Sequence, residues 1–443
     1  MRRGRIRLGA SVGLIASVVG LTAAAGLVGA AAATHAPPTP ACTGKRWVTG
    51  WAASPTDALV PVDATGAPVP TNLVHQTLRM VVAPHLGGAT VRVRLSNRFG
   101  TTPITFGHVT IGRQQHGAAI AHAQALRFGG QAAVTLPAGA DATSDPTTLT
   151  FAAFDHLAVS LYLPNYTSTV TKHWNANATS YLTPMLSGDH ASQTSGAAFT
   201  STVGSWLYLT GLDVLAPAPT RSVVAFGDSI TDGFVSASTL SVPASKAVVD
   251  TDTRYPDDLQ RRLIAARIPI SMVNAGIGSN MLLTDGQPLM LGPSGLHRFQ
   301  TDALNQAGVG GVLILEGIND LGLHRSPAAD IIAGLTQLIN QAHAAGVKAW
   351  LATILPAANA LVDGTATAPN SDRDRQLTNT WIRGQKLADG VVDFDQALRD
   401  PANPSILRAG YASVDNLHPS PAGYLAMAQA VNLAMLATAT CRT

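Results

Sequence analysis

The sequence predicts two folded units in series: an all-β sandwich, jelly-roll-like, followed by an α/β unit built on an open parallel sheet with helices on both faces. Three observations carry this. Residues 45–214 run in short alternating segments broken by Gly, Pro and Asn, residues 216–219 spell Ala-Pro-Ala-Pro, and from Arg221 onward short β-branched runs alternate with helical patterns. At 443 residues the chain is long for one ordinary domain, and with 46% apolar and 12% charged residues it has ample material for packed cores.

The chain opens on Arg2, Arg3, Arg5 and Arg7, then runs apolar from about Leu8 to Ala33. That order is read as a signal peptide over residues 1–33, with an A-x-A-like cleavage site at Ala31-Ala32-Ala33; an uncleaved anchor is the alternative that the length of the run permits. A secreted, extracellular protein is therefore expected, with no stable membrane span once the signal is cleaved. Cys42 and Cys441, the two cysteines, are expected to pair as a disulfide fastening both domains into one loop, with two free thiols as the alternative. The net charge of +3 draws partly on the N-terminal arginines and gives no footprint for a nucleic-acid partner. A monomer is expected.

Within the β-domain, placed at 42–215, residues 77–82, 89–95 and 157–163 alternate with period two, and turn signals at 87–88, 97–100 and 137–139 separate them. Residues 216–220 are read as a linker. In the second unit, 221–443, buried parallel strands are expected at 222–226, 270–274, 311–315, 348–354 and 391–394, each short and apolar. Helices are expected at 255–266, 295–306, 327–345, 371–383 and 421–437. Ligands of such a sheet bind beyond the carboxyl ends of its strands.

Four segments carry candidate chemistry, three of them at those ends. The first strand runs into Gly227-Asp228-Ser229-Ile230-Thr231-Asp232-Gly233, which sets a serine in a tight turn; taken alone, a small polar residue there is also an ordinary helix cap. Near the other end stands Asp415-Asn416-Leu417-His418-Pro419-Ser420-Pro421. The residue before a proline is biased out of the helical region, so His418 is expected in a loop, with Ser420 as N-cap and Pro421 as first residue of the helix beyond. Asp415 is then placed to accept a hydrogen bond from one imidazole nitrogen while the other faces Ser229, the arrangement that turns a weak hydroxyl into a nucleophile. A structural loop histidine beside an exposed aspartate is the plain alternative. The third set, residues 274–280 and 316–320, brings glycine-rich backbone and the Asn319 amide as possible donors to an oxyanion, although turn formation explains each singly.

Together these segments resemble the SGNH (GDSL-type) serine hydrolases, whose blocks are a G-D-S motif, a glycine-containing second block, a G-x-N-D block and a final D-x-x-H. Gly227-Asp228-Ser229, Gly317-Ile318-Asn319-Asp320 and Asp415 to His418 match in order, and the resemblance covers the chain from Arg221 to its C-terminus. It implies a flavodoxin-like five-stranded fold, Ser229 as nucleophile, His418 as base and Asp415 as its orienter. It implies an oxyanion hole from the backbone N–H of Ser229, a second-block N–H and the Asn319 side chain. The second block departs from the pattern: Ser279 stands where the family commonly has glycine, with Gly278 one place earlier, so either residue can supply the donor N–H, and Ser279 is preferred. The β-domain resembles, more loosely, a module that precedes the hydrolase domain in secreted actinobacterial members.

The function expected is ester hydrolysis through an acyl-enzyme, on short acyl or acetyl groups of a polar or carbohydrate alcohol such as a polysaccharide ester. No cofactor and no metal are called for, because the thirteen histidines are scattered without zinc spacing. A lipase or lysophospholipase, and a non-catalytic glycan-binding protein on the same scaffold, are the competing readings. The loops 234–253, 282–293 and 356–371 are expected to form the pocket rim. Lys172-His173-Trp174 with Tyr181 suits either a sugar-stacking surface or, preferentially, packing at the domain interface.

Overall fold

The computed structural model describes residues 43–286 and 292–441. The predicted signal peptide and the Cys42 end of the expected disulfide lie outside the described residues.

The alternation of the first unit becomes two antiparallel sheets, one of five strands and one of six. In Gly88–Ser96 the apolar positions Val91, Val93 and Leu95 are buried, while Arg92 and Arg94 between them reach outward. They meet Leu78, Met80 and Val82 of Gln76–Val82 and Leu157, Val159 and Leu161 of Leu157–Leu163 in one core, so the sheets pack face to face. Leu209–Pro217 lies between Lys45–Ala52 and Gly88–Ser96, and therefore runs two residues into the stretch expected as linker. Ala-Pro sequence marks the end of a strand here, and the shortened connection is tied down by the Arg46 guanidinium, which donates to the Thr220 carbonyl from Nε (3.0 Å) and Nη2 (2.8 Å).

The second unit is a five-stranded parallel sheet. We number its strands β1 (Arg221–Gly227), β2 (Ile270–Gly276), β3 (Val309–Leu315), β4 (Lys348–Ala352) and β5 (Gly390–Val392). Their order is β2-β1-β3-β4-β5, the flavodoxin-like order, in which the chain reverses direction across the sheet between β1 and β3. Val223, Val224, Ala225 and Phe226 are all buried, as a strand covered on both faces requires. The helices are α1 (Ser229–Asp232), α2 (Tyr255–Ala265), α3 (Gly295–Phe299), α4 (Ile318–Gly322), α5 (Ala328–Ala344), α6 (Ser371–Gly384), α7 (Phe394–Leu398), α8 (Pro421–Ala430) and α9 (Leu433–Leu436).

Two expected helices are interrupted. The segment 295–306 leaves α geometry after Phe299 and continues as a wider π-type turn over Gln300–Leu304. The segment 421–437 breaks at Val431, because the Asn432 side chain accepts from the Ala434 N–H and starts a new helix instead of continuing the old one. Strand β4 ends two residues short of expectation, and the Ile354 N–H goes to the Asn379 side chain.

The described residues fall in one compact unit. Contacts between its two parts run the length of the junction: Thr49 N–H to Ala307 O (2.9 Å), His85 Nε2 to Asp257 (2.9 Å) and Arg98 Nη1 to Asp302 (2.8 Å). Among the described residues no helix is long and apolar enough to cross a membrane.

Candidate active site

At the carboxyl end of β1 the chain turns directly into α1. Gly227 is required there by space: a Cβ would lie 2.1 Å from Thr231 Oγ1 and 2.5 Å from the Leu315 carbonyl oxygen. Asp228 is the N-cap, its carboxylate accepting from the Ile230 N–H at 2.8 Å, so Ser229 is the first residue of a one-turn helix. First-turn N–H groups have no partner within their helix, which leaves that of Ser229 free to point at a ligand.

The Ser229 hydroxyl donates to His418 Nε2 at 2.8 Å, and His418 Nδ1 donates to Asp415 Oδ2 at 2.6 Å. Ser229 and His418 are separated by 189 positions in sequence and are both buried. The histidine loop is built as its sequence dictates. Ser420 caps α8 by accepting from the Gly423 N–H, Pro421 opens that helix, and Asn416 takes the left-handed φ of 58° that an Asx residue tolerates. The other Asp415 oxygen accepts the N–H of Leu417 and of His418, both at 3.1 Å, and the Ser413 hydroxyl at 2.8 Å. Burial by itself would raise the Asp415 pKa. The bond and charge of His418 and these further donors outweigh it, and the carboxyl falls to about 2. An ionised acceptor at Nδ1 fixes the tautomer whose Nε2 lone pair faces the serine.

Two more segments close on the same point. Gly317 opens α4 at φ 117°, a conformation only glycine adopts readily, and a Cβ there would press on Ile331 and Ile354. That turn brings Asn319 inward, where one hydrogen of its Nδ2 goes to the Asn280 carbonyl at 2.8 Å and the second is left for a ligand. From β2, Ser279 sits at φ 55°, the left-handed region that a glycine would take without strain, and among the described residues its N–H carries no hydrogen bond. The departure from glycine therefore leaves the backbone in the glycine-like conformation. Ser229 N–H, Ser279 N–H and Asn319 Nδ2 thus belong to three segments converging at the switch point between β1 and β3.

What ties those segments together was not evident in the sequence. Arg298, in α3, is buried beneath the site and donates from Nη2 to Gly227 O (2.8 Å), from Nη1 to Ala275 O (2.7 Å) and from Nε to the Asn280 side chain (2.8 Å). Nη2 also meets Glu316 at 3.1 Å, and the guanidinium lies 4.0 Å above the Phe226 ring. One side chain thereby links the ends of β1 and β2 to the residue before Gly317. Asp320, the last residue of the third block, accepts the N–H groups of Leu282 (2.7 Å) and Leu283 (3.0 Å) and anchors the loop after the second block. Around the site the carboxyls are crowded. Burial, and then the charge of Asp320, push Asp228 up to about 7; burial raises Glu316 well above its ordinary range; and burial, with Asp228 and Asp415 nearby, lifts Asp363 to about 8. The only sequence signal for these roles was the position of Glu316 and Asp320 inside a block already singled out.

His173 and Trp174 are buried at the junction of the two parts, against the site, whereas Tyr181 packs on Val81, Ile120 and Ala158. Of the expected rim, 234–253 and 356–371 are described in full and 282–293 in part. Among the described residues no cluster of three His, Cys, Asp or Glu side chains is disposed to hold a metal ion.

Comparison with known proteins matches residues 225–426 to the GDSL-like Lipase/Acylhydrolase family. Among solved structures, the chain is similar to a putative lipolytic protein of the G-D-S-L family from Desulfitobacterium hafniense, at 22% identity over 49% of this chain and 99% of that one, with TM-score 0.35. It is also similar to an aryl esterase from M. smegmatis, at 17% identity over 48% of this chain and 96% of that one, TM-score 0.37. A carbohydrate acetylesterase from Sinorhizobium meliloti matches at 16% identity over 49% of this chain and 100% of that one, TM-score 0.38. No curated protein matches the chain.

Proposed function

We infer, from the membership of residues 225–426 in the GDSL-like lipase and acylhydrolase family and from the hydrogen-bonded chain Ser229–His418–Asp415, that the protein is a serine esterase. The observation that carries the reading is that chain, with a hydroxyl 2.8 Å from an imidazole whose far nitrogen is held by an ionised carboxylate. In the first step Ser229 Oγ attacks the acyl carbon and its proton passes to His418 Nε2. The tetrahedral oxyanion is met by the N–H groups of Ser229 and Ser279 and by Asn319 Nδ2. As it collapses, the ester C–O bond breaks and His418 returns the proton to the leaving alcohol. Water then attacks the acyl-enzyme, giving a proton to His418, and release of the acid restores the Ser229 hydroxyl. Asp415 stays ionised throughout and stabilises the imidazolium.

The substrate favoured is a short-chain carboxylic ester of a polar or carbohydrate alcohol, because Phe234 packs against the His418 ring, Trp174 stacks on Phe234 behind it, and the reacting groups are buried. A second reading, hydrolysis of longer acyl chains, is favoured by exposed apolar side chains on loops beyond the strand ends, among them Leu240, Val242, Leu361 and Val414. The signal-like start of the sequence supports export. Turnover of p-nitrophenyl acetate, lost in Ser229→Ala and His418→Ala proteins with unchanged circular dichroism, tests the activity. The ratio of acetate to palmitate ester turnover separates the two substrate classes: a high ratio supports the short-chain reading and a low one overturns it.

A further inference from the structure

We propose that the β-domain is a working part of the active site, in which His173 and Trp174 act as positioning residues that hold the nucleophile turn and the base from outside the α/β fold. The proposal rests on the esterase reading. The helix that presents Ser229 has a single turn, and a single turn has no stability of its own in water. Its geometry must therefore be imposed by neighbours. Part of that comes from within the α/β unit, through the Asp228 cap and the Phe234 N–H, which donates to the Ser229 carbonyl at 2.9 Å. The rest comes across the domain junction.

His173 ends the strand Thr171–His173, which is held on one side by Thr56–Asp57 and on the other by Trp206–Leu207. Its Nδ1 faces the Ser54 carbonyl at 2.8 Å, and its Nε2 faces Asp232 Oδ1 at 3.0 Å and the Asn175 carbonyl at 3.1 Å. Every partner is an acceptor, so both ring nitrogens carry protons and the ring is a buried cation paired with the last residue of α1. Farther along the same segment, the Asn177 side chain donates to the Gly233 carbonyl at 2.9 Å. The β-domain thus grips the carboxyl end of the nucleophile turn twice.

Trp174 bears on the other groups. Its indole stacks on Phe234 with ring centroids 5.9 Å apart and planes 12° apart, and Phe234 lies 4.7 Å from the His418 ring. Trp174 also covers Gly278, beside the Ser279 donor; a Cβ on Gly278 would stand 3.1 Å from the indole. The indole is itself fixed by donation from Nε1 to the Val62 carbonyl at 3.0 Å. One β-domain side chain therefore touches the second block directly and the base through Phe234.

The test compares kcat and KM for p-nitrophenyl acetate in wild-type, Trp174→Ala, Trp174→Phe, His173→Asn and, as a control, Arg94→Ala protein. Arg94 donates to Gln306 at 2.6 Å across the same junction but at the opposite, amino end of the sheet. Misplacement of reacting groups by about an ångström costs on the order of a hundredfold in rate. Trp174→Ala and His173→Asn are expected to lower kcat about 10- to 100-fold with KM within about threefold, Trp174→Phe to recover most of it by restoring the stack, and Arg94→Ala to match wild type. If Trp174→Ala does not fold, Trp174→Leu carries the same expectation. Wild-type kcat in the folded Trp174 and His173 variants, an unrescued Trp174→Phe, or an equal loss in Arg94→Ala overturns the proposal while the esterase reading stands. A wild-type protein without activity overturns both.

Discussion

Asp363 offers a perturbation whose sign is fixed by burial. It sits in the loop after β4 at φ 65°, is buried, and has one carboxylate oxygen without a partner among the described residues. Burial, then the charges of Asp228 and Asp415, raise its pKa from 3.8 to about 8. A carboxyl whose pKa rises on folding keeps its proton in the folded chain over the interval in which the unfolded chain has lost it. Its contribution is therefore neutral below about pH 4, and stability is lost progressively as pH climbs toward about 8. A tenfold change in proton affinity is worth about 1.4 kcal/mol, so a rise of this size sets a ceiling of about 5 kcal/mol at about pH 8. Asp363→Asn keeps the shape, tolerates the left-handed backbone and cannot ionise. The substitution is expected to change stability little at about pH 4 and to stabilise by about 1 to 5 kcal/mol at about pH 8. Urea midpoints of both proteins at several pH values across this range measure the difference, in which the other raised carboxyls cancel to first order. A difference that does not vary with pH, or that grows toward acid, refutes the reasoning.

Three further outcomes follow from the site. Ser279→Gly removes a left-handed strain of about 1–2 kcal/mol and adds about 0.5–1 kcal/mol of glycine entropy cost, so thermal unfolding should move slightly upward with kcat retained; a tenfold drop in kcat would show that the serine side chain itself is used. Arg298→Met strips the Gly227 and Ala275 carbonyls and the Asn280 side chain of their buried donor, which at about 1–3 kcal/mol for each unsatisfied group should cost at least about 3 kcal/mol in denaturant unfolding, and an unchanged midpoint would remove it from that role. Asn319→Ala should lower kcat by about 10²–10³ through loss of one oxyanion donor, and an unchanged kcat would remove it from that role.

The arrangement of β1 to β5 was legible because each strand is covered on both faces and reads as a short apolar run, and because the intervening helices carry a 3.6-residue pattern. The histidine loop was legible too, since proline chemistry at Pro419 and Pro421 constrains the backbone locally. Arg298 was not, because an arginine in a helix gives no sign of whether it faces solvent or four acceptors beneath a sheet. Asp363 lacked a signal for the same reason: only tertiary packing distinguishes a buried carboxyl in a loop from an exposed one. The break at Val431 was missed because Asn432 suits a helix cap and a helix surface alike, and the choice is made by which N–H its side chain reaches. Trp174 was expected at a domain junction, but which catalytic group lies across it depends on how two units dock, and periodicity does not encode that.

The central claim is that Ser229 is an activated nucleophile, and covalent trapping tests it most directly. Peptide mapping after exposure to a fluorophosphonate should find one adduct, on Ser229, formed rapidly in the wild-type protein and very slowly in His418→Ala. An intact protein that takes up no label, or carries it on a different serine, would contradict the account.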